Sequence, residues 1–246
     1  MTLNDKLVFS PIMLTKANTL YNFINPPKFN EKYSFTQLMK HFKYPQSTQD
    51  VLLISELAYK QKYPIIYNSF YNNKVGKDNR TTYDFMQNLV LGWLAEDYVR
   101  WVLNYSGKIN VKLNGGDCHR DLLNDYASTK ADFCMYKAGA ENGIKVEFIT
   151  DYIGKWQTNK IIEFRQNKLI RNIEQKSLIF GIDLLNYKFV LFDTTKPLYY
   201  EYSNSLYNKG GHKLDMTKTN VELYELSVDN ILSKFDNILL NRRLFL

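Results

Sequence analysis

From Thr81 to Gly107 the segment TTYDFMQNLVLGWLAEDYVRWVLNYSG repeats apolar residues at helical spacing. Thr81 or Thr82 can cap this helix and Gly107 can close it. The pattern then changes to a period of two. KINVKL places Ile109, Val111 and Leu113 on one side, and KADFCMYK and IKVEFIT flank AGAENG, whose Asn142-Gly143 pair suits a hairpin turn. The spacing predicts a second helix from about Gln157 to Phe180, followed by YKFVLFD, an apolar run of buried-strand type. Helix, three strands, helix, strand is the order of an α/β core, with a mixed central sheet flanked by helices.

Three regions result: a mainly helical 1–80, a core at 81–193 and an extension at 194–246. The first is broken at Pro26-Pro27, Pro45 and Pro64, and its 34–63 stretch reads as a helix pair of a kind that can dock on DNA or form a dimer lobe. The extension reads as an aromatic hairpin around Gly210-Gly211, then an amphipathic helix from about Val228 to the basic Arg242-Arg243.

Composition narrows the function classes. The 246 residues are 45% apolar and lack any apolar run approaching the roughly 20 residues of a spanning helix, which argues against a disordered chain or a membrane protein. MTLNDKLVFSPIML has neither the basic start nor the apolar stretch of a signal peptide. Cys118 and Cys134 cannot form a disulfide framework, so a reducing cytoplasm is the expected compartment. A net charge of +7, from 32 Lys and Arg against 25 Asp and Glu, favours a polyanionic partner.

The chemistry concentrates on three acids. Pairing the hairpin strands around their turn puts Cys134 opposite Glu147 and Asp132 opposite Ile149, with Asp132 and Glu147 on one face as diagonal neighbours. Two carboxylates on an apolar sheet repel unless a cation or a shared proton compensates, and oxygen ligands of this kind suit Mg²⁺. On the first helix Glu96 falls on the apolar stripe of Phe85, Leu89, Gly92, Val99 and Leu103, either facing the same centre or at the stripe's edge, paired with Arg100 or reaching solvent. Other motifs are weaker. Asp117, Cys118 and His119 with the distant Cys134 match no standard zinc spacing, a Cys118 or Cys134 nucleophile with His119 is poorly supported, and Gly115-Gly116 lacks the rest of a P-loop.

A helix with an inward Glu96, a hairpin bearing Asp132 in KADF and Glu147 in KVEFIT, a helix and a parallel strand resemble the PD-(D/E)XK core of type II restriction endonucleases over about Thr81 to Asp193. Residue 131 is Ala where the family has Pro, and Ile149 stands where it has its Lys. The resemblance implies that Asp132 and Glu147 bind Mg²⁺, with Glu96 directly or through water, and that another element supplies the basic group. Lys155 is the candidate by proximity; Lys160, Arg165 and Lys168 are alternatives, the last two placed by helical spacing on one face with Ile161 and Asn172. Asp151 reads as a loop or capping residue. The resemblance further implies site-specific cleavage of double-stranded DNA, a homodimer, and a companion DNA methyltransferase encoded nearby. Alternatives are a non-catalytic DNA-binding protein on a degenerate nuclease fold, and a structure-specific or RNA nuclease of the same core.

Overall fold

The computed structural model describes residues 92, 95–96, 99–100, 102–104, 106–107, 109–114, 131–137, 143–151, 153–186, 188–206 and 210–242. The 1–80 region with its 34–63 helix pair lies outside these residues. So do Thr81, Thr82, Gly115-Gly116 and Asp117-Cys118-His119.

The described positions of 92–104 are helical, and Val99, Val102 and Leu103 on them are fully buried. Gly107, at φ +66, ends this helix by donating its N–H to the Asn104 carbonyl, a left-handed turn for which glycine is suited. The Asn104 side chain accepts from the Val111 N–H at 2.7 Å, tying the helix to the first strand.

Strands β1 (Ile109–Leu113), β2 (Phe133–Lys137) and β3 (Ile144–Asp151) form an antiparallel meander. Beyond β3, the expected single helix over 157–180 is broken. α1 (Lys155–Asn159) is one short turn, stopped at Lys160 in the left-handed region at φ +55. It is followed by β4 (Ile161–Arg165), α2 (Lys168–Glu174) and β5 (Leu178–Asp183). IIEFR and LIFGID carry branched and aromatic residues whose strand preference and burial outweigh a loose helical spacing. The strand parallel to β3 is therefore β5, while YKFVLFD supplies β6 (Lys188–Asp193), antiparallel to β5.

After β6 come β7 (Tyr200–Ser203), β8 (Gly211–Asp215), β9 (Tyr224–Glu225) and α3 (Val228–Asn241). The main sheet runs β1-β2-β3-β5-β6-β9, and a second sheet runs β4-β8-β7. The chain beyond 194 thus completes a sheet begun by β4 and adds an edge strand to the main one. The fold is α/β, with a mixed central sheet and flanking helices.

Each face of the main sheet has its own core. On one, the Phe148 and Phe180 rings stack with centroids 5.8 Å apart, and Phe180 meets Phe189 at 5.6 Å and Phe235 of α3 at 5.5 Å. Ile231, Phe235 and Leu239 of α3 are buried, each side chain contributing about 1.5–3 kcal/mol. Ser227 caps this helix by accepting from the Asn230 N–H. On the other face Trp156, Ile162, Phe164, Leu169, Ile179, Val190 and Leu214 cluster between the two sheets, α1 and α2.

Gly181 in the centre of β5 is required by close approach. A Cβ there would lie 2.6 Å from Trp156 Cη2 and 2.7 Å from Ile149 Cγ1. Gly181→Val should destabilise the protein by about 1–3 kcal/mol, measured by urea denaturation. An unchanged midpoint would mean that Trp156 is not packed against this strand.

Candidate active site

Within the second core, the two hairpin acids gather where β3 and α2 meet. The observed hairpin register pairs Phe133 with Val146 and Cys134 with Lys145, so Asp132, one position before β2, stands across from Glu147. This differs by two residues from the register expected from the turn. Met135 pairs with Ile144, and Gly143 beside it lets the Tyr136 ring approach to 2.7 Å from where a Cβ would be. A shift of two keeps every side chain on its face, so the acids move from diagonal neighbours to direct ones.

Glu147 is buried, only 2% exposed, on the face of β3 that looks toward α2. Its Oε1 meets Lys168 Nζ at 2.5 Å, while Oε2 is buried without a hydrogen-bond partner. Asp132 Oδ2 accepts the Phe148 N–H at 2.6 Å, which fixes this carboxylate to β3 beside Glu147. Burial first, and then the Glu147 charge, push Asp132 well above its ordinary pKa; Glu96 adds to the shift, while Lys168 and the Phe148 N–H oppose it. Lys168 is raised: burial disfavours its ammonium form, but Glu147 and then Asp132 outweigh that cost.

Glu96 is 7% exposed on the buried side of the 92–104 helix, with Val99 and Leu103 fully buried on the same stripe. It bears on Asp132 through its charge. Among the described residues no three His, Cys, Asp or Glu side chains converge as a ready-made metal cage. The geometry is a carboxylate pair with a third acid at longer range.

Lys155, the basic residue expected at this centre, is elsewhere. It pairs with Glu163 of β4 at 2.7 Å. The single turn of α1 directs it to the neighbouring strand, and the cation at the acids is Lys168, in the first turn of α2. Lys168 and Asn172 are both on α2, whereas Ile161 and Arg165 belong to β4, so the expected single face of four does not form. Arg165 is exposed at the end of β4, and its charge opposes the upward shift of Lys168. Asp151 ends β3, and its carboxylate accepts the N–H groups of Ile153 and Trp156, an arrangement that holds the entry to α1. Cys134 is a free, half-buried thiol on β2.

A divalent ion suits this donor set. Glu147 Oε2 is an orphaned carboxylate oxygen, and burial, then the Glu147 charge, disfavours Asp132 as an anion; a cation would relieve both. Two carboxylates and waters are a sufficient ligand set for Mg²⁺.

The pH dependence of stability has a definite sign. Because Asp132 holds its proton more tightly in the folded protein than in the unfolded chain, stability falls as pH rises from the ordinary Asp range through the raised value. Asn keeps an oxygen for the Phe148 N–H and carries no charge. Asp132→Asn should therefore raise the thermal midpoint of the metal-free protein at pH 8, with the gain disappearing near pH 4. Parallel melting curves of equal midpoint at every pH would refute the assigned strain.

No family model matches the chain, and no curated protein or solved structure matches it either. Among the described residues no helix is long and apolar enough to cross a membrane.

Proposed function

We propose that the protein is a Mg²⁺-dependent endonuclease of double-stranded DNA, of the type II restriction kind, with Asp132, Glu147 and Lys168 at its centre. The observation that carries this reading is the Lys168–Glu147 pair beside Asp132, with Glu147 Oε2 unpaired. It supplies from α2 the basic group that Ile149 fails to supply from β3. The order of elements also supports the reading: a helix bearing Glu96, a meander bearing Asp132 and Glu147, and a β5 strand parallel to β3.

Asp132 and Glu147 would hold the metal ion. When bound, Mg²⁺ supplies Lewis acidity at the phosphate and a more acidic water. The chain's own groups do the rest. Lys168 is held protonated by the two acids, so it acts as a donor and a positive charge toward the phosphate rather than as a base. Phe148 N–H keeps Asp132 oriented, and Glu96 keeps the site electronegative before the ion enters. The net charge of +7 offsets the approach of a polyanion to an acidic site. The same reading implies a homodimer, one centre per strand of a palindromic site, and a companion methyltransferase.

The test is a substrate panel of plasmid, linear duplex, single-stranded DNA and RNA, each with Mg²⁺ or EDTA. The reading expects discrete duplex fragments with Mg²⁺ alone. Cleavage of RNA or branched DNA in place of duplex would assign a different substrate to the same centre. DNA retention without hydrolysis in any metal would make the fold a binding module.

A further inference from the structure

A cleft of about 410 Å³ opens on the other flank of α2, lined by Gln166, Asn167, Arg171, Glu174, Tyr202 and His212. That volume falls within the range of small-ligand sites. We propose that this cleft receives one unstacked nucleotide of the substrate strand, next to the phosphate held at Asp132, Glu147 and Lys168. The polymer's identity rests on the nuclease reading, but the cleft's chemistry stands on its own residues.

Three features point to a nucleotide. Asn167 immediately precedes Lys168, and Arg171 follows it by three positions on the same short helix. A strand bound at Lys168 is thereby led across α2 to a guanidinium placed to meet the adjoining phosphate. The side-chain amides of Gln166 and Asn167 are exposed, and each offers the paired donor and acceptor that a base edge requires. Across from them Tyr202 is 48% exposed on an edge strand, an aromatic surface on which a base can stack.

The wall behind is fixed by the second sheet. Phe164, His212 and Tyr202 are register partners across β4, β8 and β7, and Phe164 is buried against the core. His212 sits edge-on to the Tyr200 and Tyr202 rings, with centroids 5.5 and 5.4 Å away, and its Nδ1 is buried without a hydrogen-bond partner. The tyrosine platform is thus braced by a ring that has polar capacity to spare. Glu174, the one acid of the lining, disfavours a second phosphate in the cleft and offers an acceptor to an exocyclic amine.

The experiment uses fluorescein-labelled single-stranded homo-oligodeoxynucleotides, titrated with the full chain in EDTA so that binding is read without cleavage. A second set carries 2-aminopurine, whose emission reports stacking on an aromatic ring. Wild-type binding is expected to weaken about tenfold in Tyr202→Leu and again in Arg171→Gln. Tyr202→Leu should also abolish the 2-aminopurine quenching, a signal that a purely structural tyrosine would not control. Tyr202→Trp should restore it. Equal binding and equal quenching in wild type and Tyr202→Leu would overturn the proposal even if the protein cuts DNA with Mg²⁺. Absence of wild-type binding to all four oligomers would overturn it as well. Tyr202-dependent binding by a protein that cuts nothing would keep the nucleotide cleft and remove the nuclease reading.

Discussion

Lys168→Met is expected to lower the rate of DNA cleavage by about two to four orders of magnitude, whereas Lys155→Met changes it less than about threefold. The contrast follows from where the two ammonium groups lie. Lys168 Nζ is 2.5 Å from Glu147 Oε1, and Lys155 Nζ is 2.7 Å from Glu163, a residue of another strand in the second sheet. Removing Lys168 also leaves a buried carboxylate pair without its countercharge, so the substitution carries a stability cost of its own. Two controls separate the effects. Lys168→Arg keeps the charge at the acids and should retain the fold with part of the activity. Thermal melts of Lys168→Met at acid pH, where Asp132 holds its proton, should show the loss of stability shrinking. The measurement is single-turnover cleavage of a duplex in Mg²⁺; equal rates for the two Met variants would remove Lys168 from the centre.

Arg242→Ala is expected to destabilise the protein by about 3–5 kcal/mol, the largest effect of any substitution outside the site. Arg242 follows the last turn of α3, and its guanidinium makes a bidentate pair with Asp193 at the end of β6, with Nε 2.6 Å from Oδ2. Both side chains are more than nine-tenths buried. The same guanidinium donates to the Lys176 carbonyl at 2.9 Å, so one residue joins α3, β6 and the turn before β5. Burial alone would raise Asp193, but the Arg242 hydrogen bond, with those of Thr195, holds it below the usual value. The stability contributed by this pair is therefore complete above the ordinary Asp range and is lost as pH falls through the lowered value. Urea unfolding at neutral pH measures it, and Asp193→Asn with the double variant gives the coupling energy. A change below about 1 kcal/mol for Arg242→Ala would show that α3 is held by Ile231, Phe235 and Leu239 alone.

Much of the candidate site's arrangement is legible in the sequence because it depends on periodicities. Glu96 shares a helical stripe with Val99 and Leu103, and that stripe is buried. Asp132 and Glu147 lie on one face of a hairpin, and a two-residue change of register cannot part them, since side chains alternate with a period of two. Nearness in sequence to Glu147 favours Lys155 over Lys168, and reading 157–180 as one helix does not correct it. In a continuous helix Lys155 stands at the entrance nearest β3, and Lys168 is one of several solvated charges. Lys160 in a left-handed conformation ends that helix after a single turn, and IIEFR leaves for the second sheet. The signal was present in the alternation of IIEFR and in the Gln166-Asn167 pair, where helical spacing restarts with Leu169 and Ile173 directed to the core. LIFGID was obscured for a different reason: six consecutive buried residues have no period, so length and the glycine at 181 had to decide. Tertiary pairing is absent from a local pattern altogether. Nothing between 194 and 215 announces that β8 will seek β4 rather than the edge of the main sheet.

The central claim is that Asp132 and Glu147 jointly hold one divalent ion beside Lys168. Titration of the metal-free protein with Mn²⁺, followed by electron paramagnetic resonance of the free ion, measures this without any substrate. One site per chain is expected at pH 8, weakening as pH falls through the raised Asp132 value, and lost in both Asp132→Asn and Glu147→Gln. Binding of equal affinity in wild type and in both variants would contradict the account.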